Sequence, residues 1–522
     1  MNKTLQNSIV KKLVAMAIAA TMVTMLFSGC GSVKTFQSTP TASSEAPAAV
    51  REDIRIAMES DPPTLHPFDH KSVTANYMNA LTFNQLFRVD LDTLMPVPDL
   101  CEKYERTSDT EWLFKIYENV NFHDGSHMTS ADVAASMEYA RKYPTTKDYS
   151  SFWKSVEIVD EYTVKVTTDG PYALTLPNLT SIKIVPKALI DQNHDFGTKP
   201  IGSGPYRFVS QTLGESLSFE AFDGYFNAAH QPKIKHMTWR IIPEGSSRTI
   251  ALETGEIDTI IEVEANDVER LDASDATEVH KVDGTRVNFF SMNNEVYPFN
   301  NKDFRRAMNA AIDREAVITV AVNGQGVKTT AQTPAMFEGA STANAQDYDI
   351  DKAKEYLAAS GVKVDGLSFS CIVSNDTARR GAEVIQANLK ELGINMEIVA
   401  MDYATLLSTI MPGKYQTSVI GYTSSTMTMY AYGVFHSNSL NAANLARVKD
   451  AKVDELIDLA KTQIDDAERG ETLKQLTEYL NEQSPFVSLY HPIVARATNS
   501  ALKGFKVSAA GGMWFEDVYW AQ

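Results

Sequence analysis

Hydrophobic and polar residues follow both strand-like and helix-like patterns along most of the chain. Residues 51–58 alternate apolar with polar side chains, which predicts a strand with one buried face. Residues 304–312 place an apolar side chain at every fourth position, which predicts an amphipathic helix. The two patterns alternate irregularly, and we find no repeat of fixed period. The chain is therefore predicted to be an α/β protein with more than one domain.

The same reasoning assigns the other elements. Helices are predicted at 74–87, 130–139, 246–252 and 384–392, with a short one beginning at 185 and a long one spanning 453–467. Strands are predicted at 112–116, 120–122, 207–210, 217–221, 237–242 and 394–399, with two short strands inside 156–168. An Asp-Gly pair at 124–125 and a Gly-Ser-Gly sequence at 202–204 indicate tight turns.

The first thirty residues carry a different pattern. Three lysines and no acidic residue precede an apolar run at 13–27, which is too short to span the ~30 Å hydrocarbon core comfortably. This arrangement is typical of a secretory signal peptide. The run ends in Leu-Phe-Ser-Gly-Cys at 26–30, which resembles the bacterial lipobox, whose cysteine receives diacylglycerol before cleavage. We therefore expect removal of residues 1–29 and acylation of Cys30; an uncleaved anchor with a free cysteine is the alternative.

A low-complexity segment follows the expected lipidation site. Residues 31–50 are rich in Ser, Thr, Ala and Pro and lack an apolar period, so the segment from 30 to 50 is predicted to be a lipidated cysteine with a flexible tether. Two or three acyl chains hold a protein firmly on a membrane. The sequence therefore predicts a protein anchored at the extracytoplasmic face of the bacterial cell membrane.

Composition excludes several classes of protein. The 522 residues are 43% hydrophobic, 22% charged and 9% aromatic, which excludes a disordered, a collagen-like and a polytopic membrane protein. The net charge of −18, which becomes −21 without residues 1–29, has the wrong sign for a nucleic-acid binder. The other two cysteines, Cys101 and Cys371, are far apart in sequence. We interpret them as buried free thiols rather than as a disulfide.

Sequence motifs of enzymes and metal sites are missing. The chain contains no G-x-S-x-G, no phosphate-binding loop, no H-E-x-x-H and no C-x-x-C. His123 and His127 have a spacing that could hold a metal on a helix, but the Asp-Gly pair between them breaks any helix and no third ligand is near. We therefore expect no catalysis, no cofactor and no resident metal.

Five segments, taken in chain order, carry a family resemblance. They are DPPTLHP at 61–67, NFHDG at 121–125 followed by TSADV at 129–133, PIGSGPY at 200–206, LETGEID at 252–258, and DFRRAMNAAIDR at 303–314. Together they resemble the extracellular solute-binding proteins of family 5, the peptide- and nickel-binding proteins that feed ABC importers. The resemblance extends from residue 51 to residue 505.

The resemblance implies a fold and a division into domains. The fold would be the two-lobed periplasmic-binding-protein-like α/β fold of type II, in its large cluster, with an extra subdomain in the first lobe. Lobe 1 would comprise 51–285, with the subdomain at about 98–190, and the C-terminal return at 490–522. Lobe 2 would comprise 286–489. The chain would cross between the lobes near 283–287 and 490–492, and these crossings would form the hinge.

The resemblance also implies a function. A ligand held by both lobes would stabilise a closed state, which would dock onto a membrane permease driven by an ATPase. The protein is expected to act as a monomer and to bind a di- or oligopeptide. A nickel or metal-chelate binder, with His436 as a contributor, and a glutathione-like binder are alternatives of the same class. An adhesin or signalling lipoprotein with this fold, which needs no ligand, is an alternative of another class.

The family resemblance points to candidate ligand contacts in lobe 2. Peptide-binding relatives place an acid for the peptide amine just after a strand, yet this chain has no aspartate between Asp402 and Asp450. The matching segment offers Tyr422, Thr423, Ser424 and Ser425 as contacts instead, with two methionines after them, and simple packing of this loop is the alternative. The residues that sit where relatives bind a ligand carboxylate, or at strand ends facing the expected cleft, are Arg379, Arg380, Tyr403 and Asn293. Solvated surface charges are the alternative interpretation of the two arginines.

Overall fold

Residues 51–521 are described by the computed structural model, and they form a mixed α/β structure. The expected signal peptide at 1–29, the acylated Cys30 and the tether at 31–50 lie outside the described residues. Within residues 51–521, no helix combines the length and the apolar character that a membrane span requires.

The sheets are built from strands of very different lengths. The strands are β1 (Asp53–Met58), β2 (Phe87–Val89), β3 (Pro96–Pro98), β4 (Cys101–Arg106), β5 (Glu111–Ile116), β6 (Trp153–Asp160), β7 (Thr163–Thr168), β8 (Tyr206–Thr212), β9 (Ser216–Ala221), β10 (His236–Ile241), β11 (Thr259–Ile260), β12 (Thr277–Asp283), β13 (Val287–Met292), β14 (Gly326–Lys328), β15 (Ser368–Val373), β16 (Asn395–Ala400), β17 (Thr417–Tyr422), β18 (Phe486–Asn499), β19 (Leu502–Lys503) and β20 (Tyr519–Trp520).

The helices cover the faces of these sheets. They are α1 (Val73–Thr82), α2 (Ser130–Ala140), α3 (Lys147–Ser150), α4 (Thr175–Leu179), α5 (Lys187–Asp191), α6 (Gly245–Glu253), α7 (Val268–Asp272), α8 (Lys302–Ala311), α9 (Arg314–Val322), α10 (Ile350–Ser360), α11 (Asp376–Glu391), α12 (Tyr403–Ile410), α13 (Met427–Phe435), α14 (Ala451–Thr462) and α15 (Asp466–Gln483). Short 3-10 turns lie at Pro144–Thr146, Ala228–His230 and Ser437–Ser439.

One large sheet runs through both lobes. Its strands lie in the order β16-β15-β17-β13-β18-β11-β1-β10-β9-β8, and β12 and β14 also pair with β18. Strand β18, 14 residues long, joins the two halves, because its residues 486–490 pair with β13 and its residues 493–499 pair with β12. We call the half built on β1 and β8–β12 lobe 1, and the half built on β13 and β15–β17 lobe 2.

A smaller sheet in the order β4-β5-β7-β6 lies within lobe 1. Together with α2 it encloses a core of its own that contains Phe114, Phe122 and Trp153, each of which is at most 1% exposed. The C-terminal segment returns to lobe 1, since Phe515 and Trp520 pack with Ile54 of β1. The predicted crossings at 283–287 and 490–492 fall between β12 and β13 and within β18. The exact domain boundaries stay a prediction.

Several predicted elements have different bounds in the structure. The single long helix predicted at 453–467 is wrong, because the chain is extended at Gln463 and the side chain of Asp465 caps a new helix, α15. The helix predicted at 384–392 is the second half of α11, which begins eight residues earlier. The helix predicted at 74–87 stops at Thr82, since Phe83 has extended dihedral angles. The strand predicted at 120–122 is wrong: only Asn121 pairs there, in an isolated bridge.

Both remaining cysteines are free and buried, as the sequence predicts. Burial raises the pKa of the Cys101 thiol and of the Cys371 thiol to about 12 in each case. Neither thiol is therefore ionised near neutral pH, so both react poorly as nucleophiles.

Candidate ligand-binding cleft

Three cavities meet around Ser425, at the junction of the two lobes. The central cavity has a volume of about 880 Å³ and is walled by both lobes. A second cavity of about 580 Å³, which we call the recess, extends into lobe 1. A third of about 410 Å³, which we call the apolar pocket, opens on the other side of Ser425. Volumes of this size suit ligands of a few hundred daltons.

The central cavity brings together groups that are distant in sequence. From lobe 2 it receives Tyr422, Thr423, Ser424, Ser425, Met429 and Tyr432, and from lobe 1 Asn76, Asp148, Tyr149, Phe152 and Tyr172. Four of the eight predicted site residues therefore lie on one wall. The lobes also touch beside the cavity, where the Ala173 N–H donates to the Lys461 carbonyl over 2.8 Å. The arrangement is that of a cleft with its lobes in contact.

Segment 423–425 forms the link between β17 and α13. Strand β17 ends at Tyr422, and α13 begins after Thr426, whose side chain accepts the Met429 N–H. The three residues between them belong to neither element, and their side chains line the cavity. The Ser424 hydroxyl donates to the Thr426 carbonyl over 3.2 Å, and the Ser425 hydroxyl donates to the Met429 sulfur over 3.6 Å. Gly433 on α13 permits this packing, because a Cβ there would lie 2.7 Å from the Tyr422 hydroxyl. Burial raises the pKa of Tyr422, and the nearby charge of Asp148 adds to the effect.

An acidic group faces this segment from the opposite lobe. Asp148, on the short helix α3, lines both the central cavity and the recess. Its carboxylate is 78% exposed and lies 3.8 Å from the Lys71 ammonium. The family resemblance implies an acid in lobe 2 that this chain lacks, but lobe 1 supplies a carboxylate at the same cleft. This carboxylate can accept hydrogen bonds from a ligand amine.

The recess carries the cationic end of the cleft. Lys71 and Lys183 both line it, and Lys183 donates to the Gln85 side-chain oxygen. Burial lowers the pKa of Lys183 to about 8, while the Asp99 carboxylate opposes the shift. His70 lines the same cavity, and burial lowers its pKa as well. The imidazole is therefore neutral at pH 7, and the two lysines provide the positive charge.

The apolar pocket has walls from both lobes. Its lining includes Leu94, Met95, Leu174, Met336, Phe337 and Met427. At its rim, Arg469 and Glu338 form an ion pair of 2.8 Å. The pocket adjoins the central cavity at Leu174 and Ser425. It can accommodate an aliphatic or thioether group that projects from a ligand in the cleft.

The other four predicted site residues line none of these three cavities. Arg379 lies on the outer face of α11, where its guanidinium pairs with Asp376 at 3.3 Å and with Glu383 at 2.6 Å. Arg380, one residue on, points inward and donates to the Ala321 carbonyl over 2.9 Å. Its Nε is buried without a partner among the described residues. Arg379 thus has the surroundings of a surface charge, whereas Arg380 retains donor capacity.

Tyr403 and Asn293 have contrasting surroundings. Tyr403 is 60% exposed at the start of α12, beside the partly buried Arg286, whose pKa burial lowers. Asn293 is fully buried, and its amide donates to the carbonyls of Gly413 and Tyr415 over 3.0 and 2.9 Å. These bonds connect the end of β13 to a neighbouring loop, so Asn293 has a structural role and is not part of the proposed site.

The histidines considered as metal ligands have structural surroundings. His123 donates to the Gly204 carbonyl over 2.9 Å, and burial lowers its pKa to about 4. His436 is 2% exposed, and its Nδ1 accepts the Asn438 N–H at the start of a 3-10 turn. Within residues 51–521, no group of three or more His, Cys, Asp or Glu side chains is arranged to hold a metal ion.

Sequence reasoning did not find the lobe 1 wall of the cleft. Asp148, Tyr149 and Lys183 come from the small-sheet region, and segment 510–514 comes from the C-terminal return. None of these residues belongs to a motif. The Gly-Gly pair at 511–512 was the one local signal, since a glycine pair marks irregular backbone near a turn.

Known proteins that are similar to this chain include several solute-binding proteins. The glutathione-binding protein GsiB of Pectobacterium atrosepticum is 26% identical over 490 residues, which is 90% of this chain and 95% of that protein. The periplasmic binding protein DppA of Helicobacter pylori, solved with the peptide STSA, superposes with a TM-score of 0.76 at 24% identity, covering 91% of this chain and 99% of that one. NikZ of Campylobacter jejuni, solved with Ni(L-His), gives a TM-score of 0.75 at 23% identity, covering 90% and 99%.

The family is established by a match that spans most of both lobes. Residues 95–444 match the model of the bacterial extracellular solute-binding proteins, family 5 Middle. This segment contains the small sheet, the β12–β13 crossing and the β17–α13 link that lines the cleft. The chain belongs to the bacterial extracellular solute-binding proteins of family 5.

Proposed function

We propose that this protein is the lipid-anchored receptor subunit of an ABC importer and that it captures a short peptide in the cleft between its lobes. The closed, loaded protein would then deliver the peptide to the permease and ATPase subunits in the membrane. Family membership supports the receptor role. The Leu-Phe-Ser-Gly-Cys sequence at 26–30 supports the anchor. We propose that the receptor acts as a monomer.

The separation of charge along the cleft carries the peptide proposal. Asp148 offers a carboxylate where the central cavity meets the recess, and Lys183 offers an ammonium inside the recess. A peptide at neutral pH carries complementary charges: an ammonium at its amino end, and carboxylates at its carboxyl end and on any acidic side chain. Charge-assisted hydrogen bonds of this kind are about twice as strong as neutral ones.

The uncharged lining also suits a peptide. The Thr423 hydroxyl can donate to or accept from peptide amides, and the Ser424 and Ser425 oxygens can accept from them. Aromatic rings of Tyr149, Phe152 and Tyr172 provide apolar walls, and the apolar pocket can take a ligand side chain. We propose that Arg380 and Tyr403 act at the neighbouring strand ends once the ligand is bound, whereas Arg379 has the weaker support because its charges are already paired.

Glutathione is a specific candidate within this class. Relatives that are 26% identical over 490 residues are glutathione-binding proteins. Glutathione is a short peptide with one amine and two carboxylates, so it matches the charges of Asp148 and of the two lysines in the recess. The glutathione proposal therefore refines the peptide proposal and does not replace it.

A nickel chelate has less support from the cleft. Among the described residues lining the three cavities, His70 is the only imidazole. Its Nδ1 accepts the Ser72 N–H over 3.3 Å, and its Nε2 lies 2.8 Å from the Asn79 amide. Both ring nitrogens are thus engaged, which leaves no free nitrogen to complete a metal coordination shell.

Thermal-shift measurements on the purified protein test the proposal. Mixed di- and tripeptides, glutathione and a nickel–histidine complex are added separately, and the melting temperature is recorded. Ligand at about 100 times its Kd adds about 2.7 kcal/mol to the free energy of unfolding, which raises the melting temperature by a few degrees. Peptides are expected to give this shift. A shift with nickel–histidine alone would contradict the peptide proposal, and no shift with any ligand would favour a role in adhesion or signalling.

A further inference from the structure

The recess is an extension of the cleft into a single lobe. Its walls come from lobe 1, including α1, the loop before α5 and the C-terminal segment 508–514. Ser425 is the contribution from lobe 2, and it lies at the mouth that the recess shares with the central cavity. A group bound in the recess therefore contacts lobe 1 almost exclusively, while the rest of the ligand lies between the lobes.

The charges facing the recess do not balance. Lys71, Asp148 and Lys183 are the Lys, Arg, Asp and Glu side chains along its described lining. The Lys71 ammonium lies 3.8 Å from the Asp148 carboxylate, so these two charges offset each other. His70 does not contribute positive charge, because burial and the neighbouring Lys183 both lower its pKa. Lys183 is left as the cation without an opposite charge in the cavity.

The bonding of Lys183 leaves capacity for a ligand. An ammonium has three N–H donors. One donates to the Gln85 side-chain oxygen, and no other acceptor within the described residues forms a hydrogen bond or ion pair with it. Behind Gln85, the buried Asp99 carboxylate accepts from the Gln85 amide over 3.1 Å and from Asn84 over 3.0 Å. Gln85 thus separates Asp99 from Lys183, and the two remaining donors of the ammonium are available toward the cavity.

We propose that Lys183 binds a second carboxylate of the ligand, one carried by an acidic side chain of the bound peptide. The inference rests on the proposed function, because it assigns a specificity to the same cleft. Thr180 and Ser181, also in the wall of the recess, can donate hydroxyl hydrogen bonds to the same carboxylate. A carboxylate there would complete the bonding of Lys183 and neutralise its charge. The receptor would thereby prefer acidic peptides over their neutral isosteres.

A matched pair of peptides tests this preference. Ala-Glu-Ala and Ala-Gln-Ala have nearly the same shape and differ in one negative charge. Their dissociation constants are measured by calorimetry with the full-length protein at pH 7. We expect the glutamate peptide to bind about tenfold more tightly or better, the effect of one charge-assisted hydrogen bond in a low-dielectric site.

Variants assign the preference to Lys183. In Lys183→Met the preference is expected to fall to about one, with the affinity for Ala-Gln-Ala kept, and in Lys183→Arg part of it is expected to remain. The matched control is Lys154→Met, an exposed lysine of β6 outside the three cavities, which should keep the full preference. Lys71→Met removes the other lysine of the recess, and this variant should retain most of the preference for the glutamate peptide.

A pH series gives a readout that does not depend on a variant that folds. The preference should decline between pH 7 and pH 9.5, because Lys183 loses its proton near its pKa of about 8. Tyr77 and Tyr149 face the same cavity, but burial raises the pKa of both, that of Tyr149 to about 12. Equal binding of the two peptides to the wild-type protein would overturn the assignment of Lys183 but not the proposed function. Binding of neither peptide would overturn the proposed function and this inference with it.

Discussion

At the residue scale, the cleft assigns separate tasks to side chains that differ in burial. Asp148 is exposed at the rim, where its carboxylate stays solvated until a ligand arrives. Lys183 is half-buried in the wall of the recess, and burial of its ammonium lowers its pKa to about 8. Keeping the exposed rim carboxylate charged costs little free energy, and the carboxylate can exchange its bound water for a ligand amine. Keeping the partly buried ammonium charged without an anion costs more free energy, so Lys183 discriminates more strongly between ligands.

The role of Asp148 in binding the peptide amine is tested by Asp148→Asn. The change keeps the shape of the side chain but removes its charge, so peptides with a free amine should bind about tenfold more weakly. An N-acetylated peptide has no ammonium, and its affinity should be the same for both proteins. Calorimetry with the two peptides measures both effects.

The matched control for this substitution is Asp169→Asn, an exposed aspartate that lines none of the three cavities. It should leave both affinities unchanged. An Asp148→Asn protein that binds the free-amine peptide as tightly as the wild type would remove Asp148 from the site.

At the element scale, the segments that carry the family resemblance specify close packing between helices and turns. Gly204 lies in the PIGSGPY segment at 200–206, and its N–H donates to the Thr82 carbonyl at the end of α1 over 2.9 Å. A Cβ at this position would lie 2.4 Å from the Leu81 carbonyl oxygen and 2.6 Å from the Thr82 carbonyl carbon. The segment therefore positions α1, which carries Asn76 and Tyr77 to the cleft.

We expect Gly204→Ala to destabilise the fold by about 1–3 kcal/mol or more, since the clash is with backbone that cannot move away cheaply. Gly470→Ala is the matched control, because a Cβ there has nothing within 4 Å and the residue lies inside α15. Alanine is a better helix former than glycine, so this control should be stabilised by about 0.5–1 kcal/mol. Urea denaturation compares the three proteins. Equal midpoints for Gly204→Ala and the wild type would contradict the packing argument.

Elements with a strong local signal were predictable from the sequence, and elements defined by distant contacts were not. The alternation at 51–58 and the helix predicted at 130–139 correspond to β1 and α2 as observed. The break between α14 and α15 was missed, because no glycine or proline marks it and Asp465 caps the second helix without an interruption in the apolar pattern. Strand β18 was missed, because its length reflects pairing with partners some 200 residues away.

The same distinction holds for the candidate site. The segment 422–425 was predictable because it follows a strand that the family resemblance identifies. Asp148 and Lys183 were not, because they reach the cleft only when the small-sheet region packs against α1 and the C-terminal segment of lobe 1. Asn293 is correctly placed at a strand end, yet its amide faces inward to two backbone carbonyls. Side-chain direction at a strand end depends on which neighbour packs there, and sequence position alone does not determine it.

At the scale of the whole molecule, the fold connects ligand binding to the relative position of the lobes. Strand β18, 14 residues long, and the three-residue β12–β13 crossing are the covalent links between the two halves of the sheet. The lobes also touch beside the cleft, as in the Ala173–Lys461 hydrogen bond. A ligand that contacts both walls adds to the interaction between the lobes, so it should shift the population toward the closed state.

Fluorescence energy transfer between the lobes measures this shift. Cysteines are introduced at Lys154 in lobe 1 and Glu355 in lobe 2, two exposed positions, and labelled with a dye pair. The native Cys101 and Cys371 are buried with thiol pKa values of about 12, so they should not react. We expect saturating peptide to change the transfer efficiency, and the change should follow the calorimetric binding curve. A pair at Glu355 and Lys414, both in lobe 2, should show no change. Constant transfer between the lobes with a peptide that calorimetry shows to be bound would contradict closure and would require a cleft that is already closed without ligand.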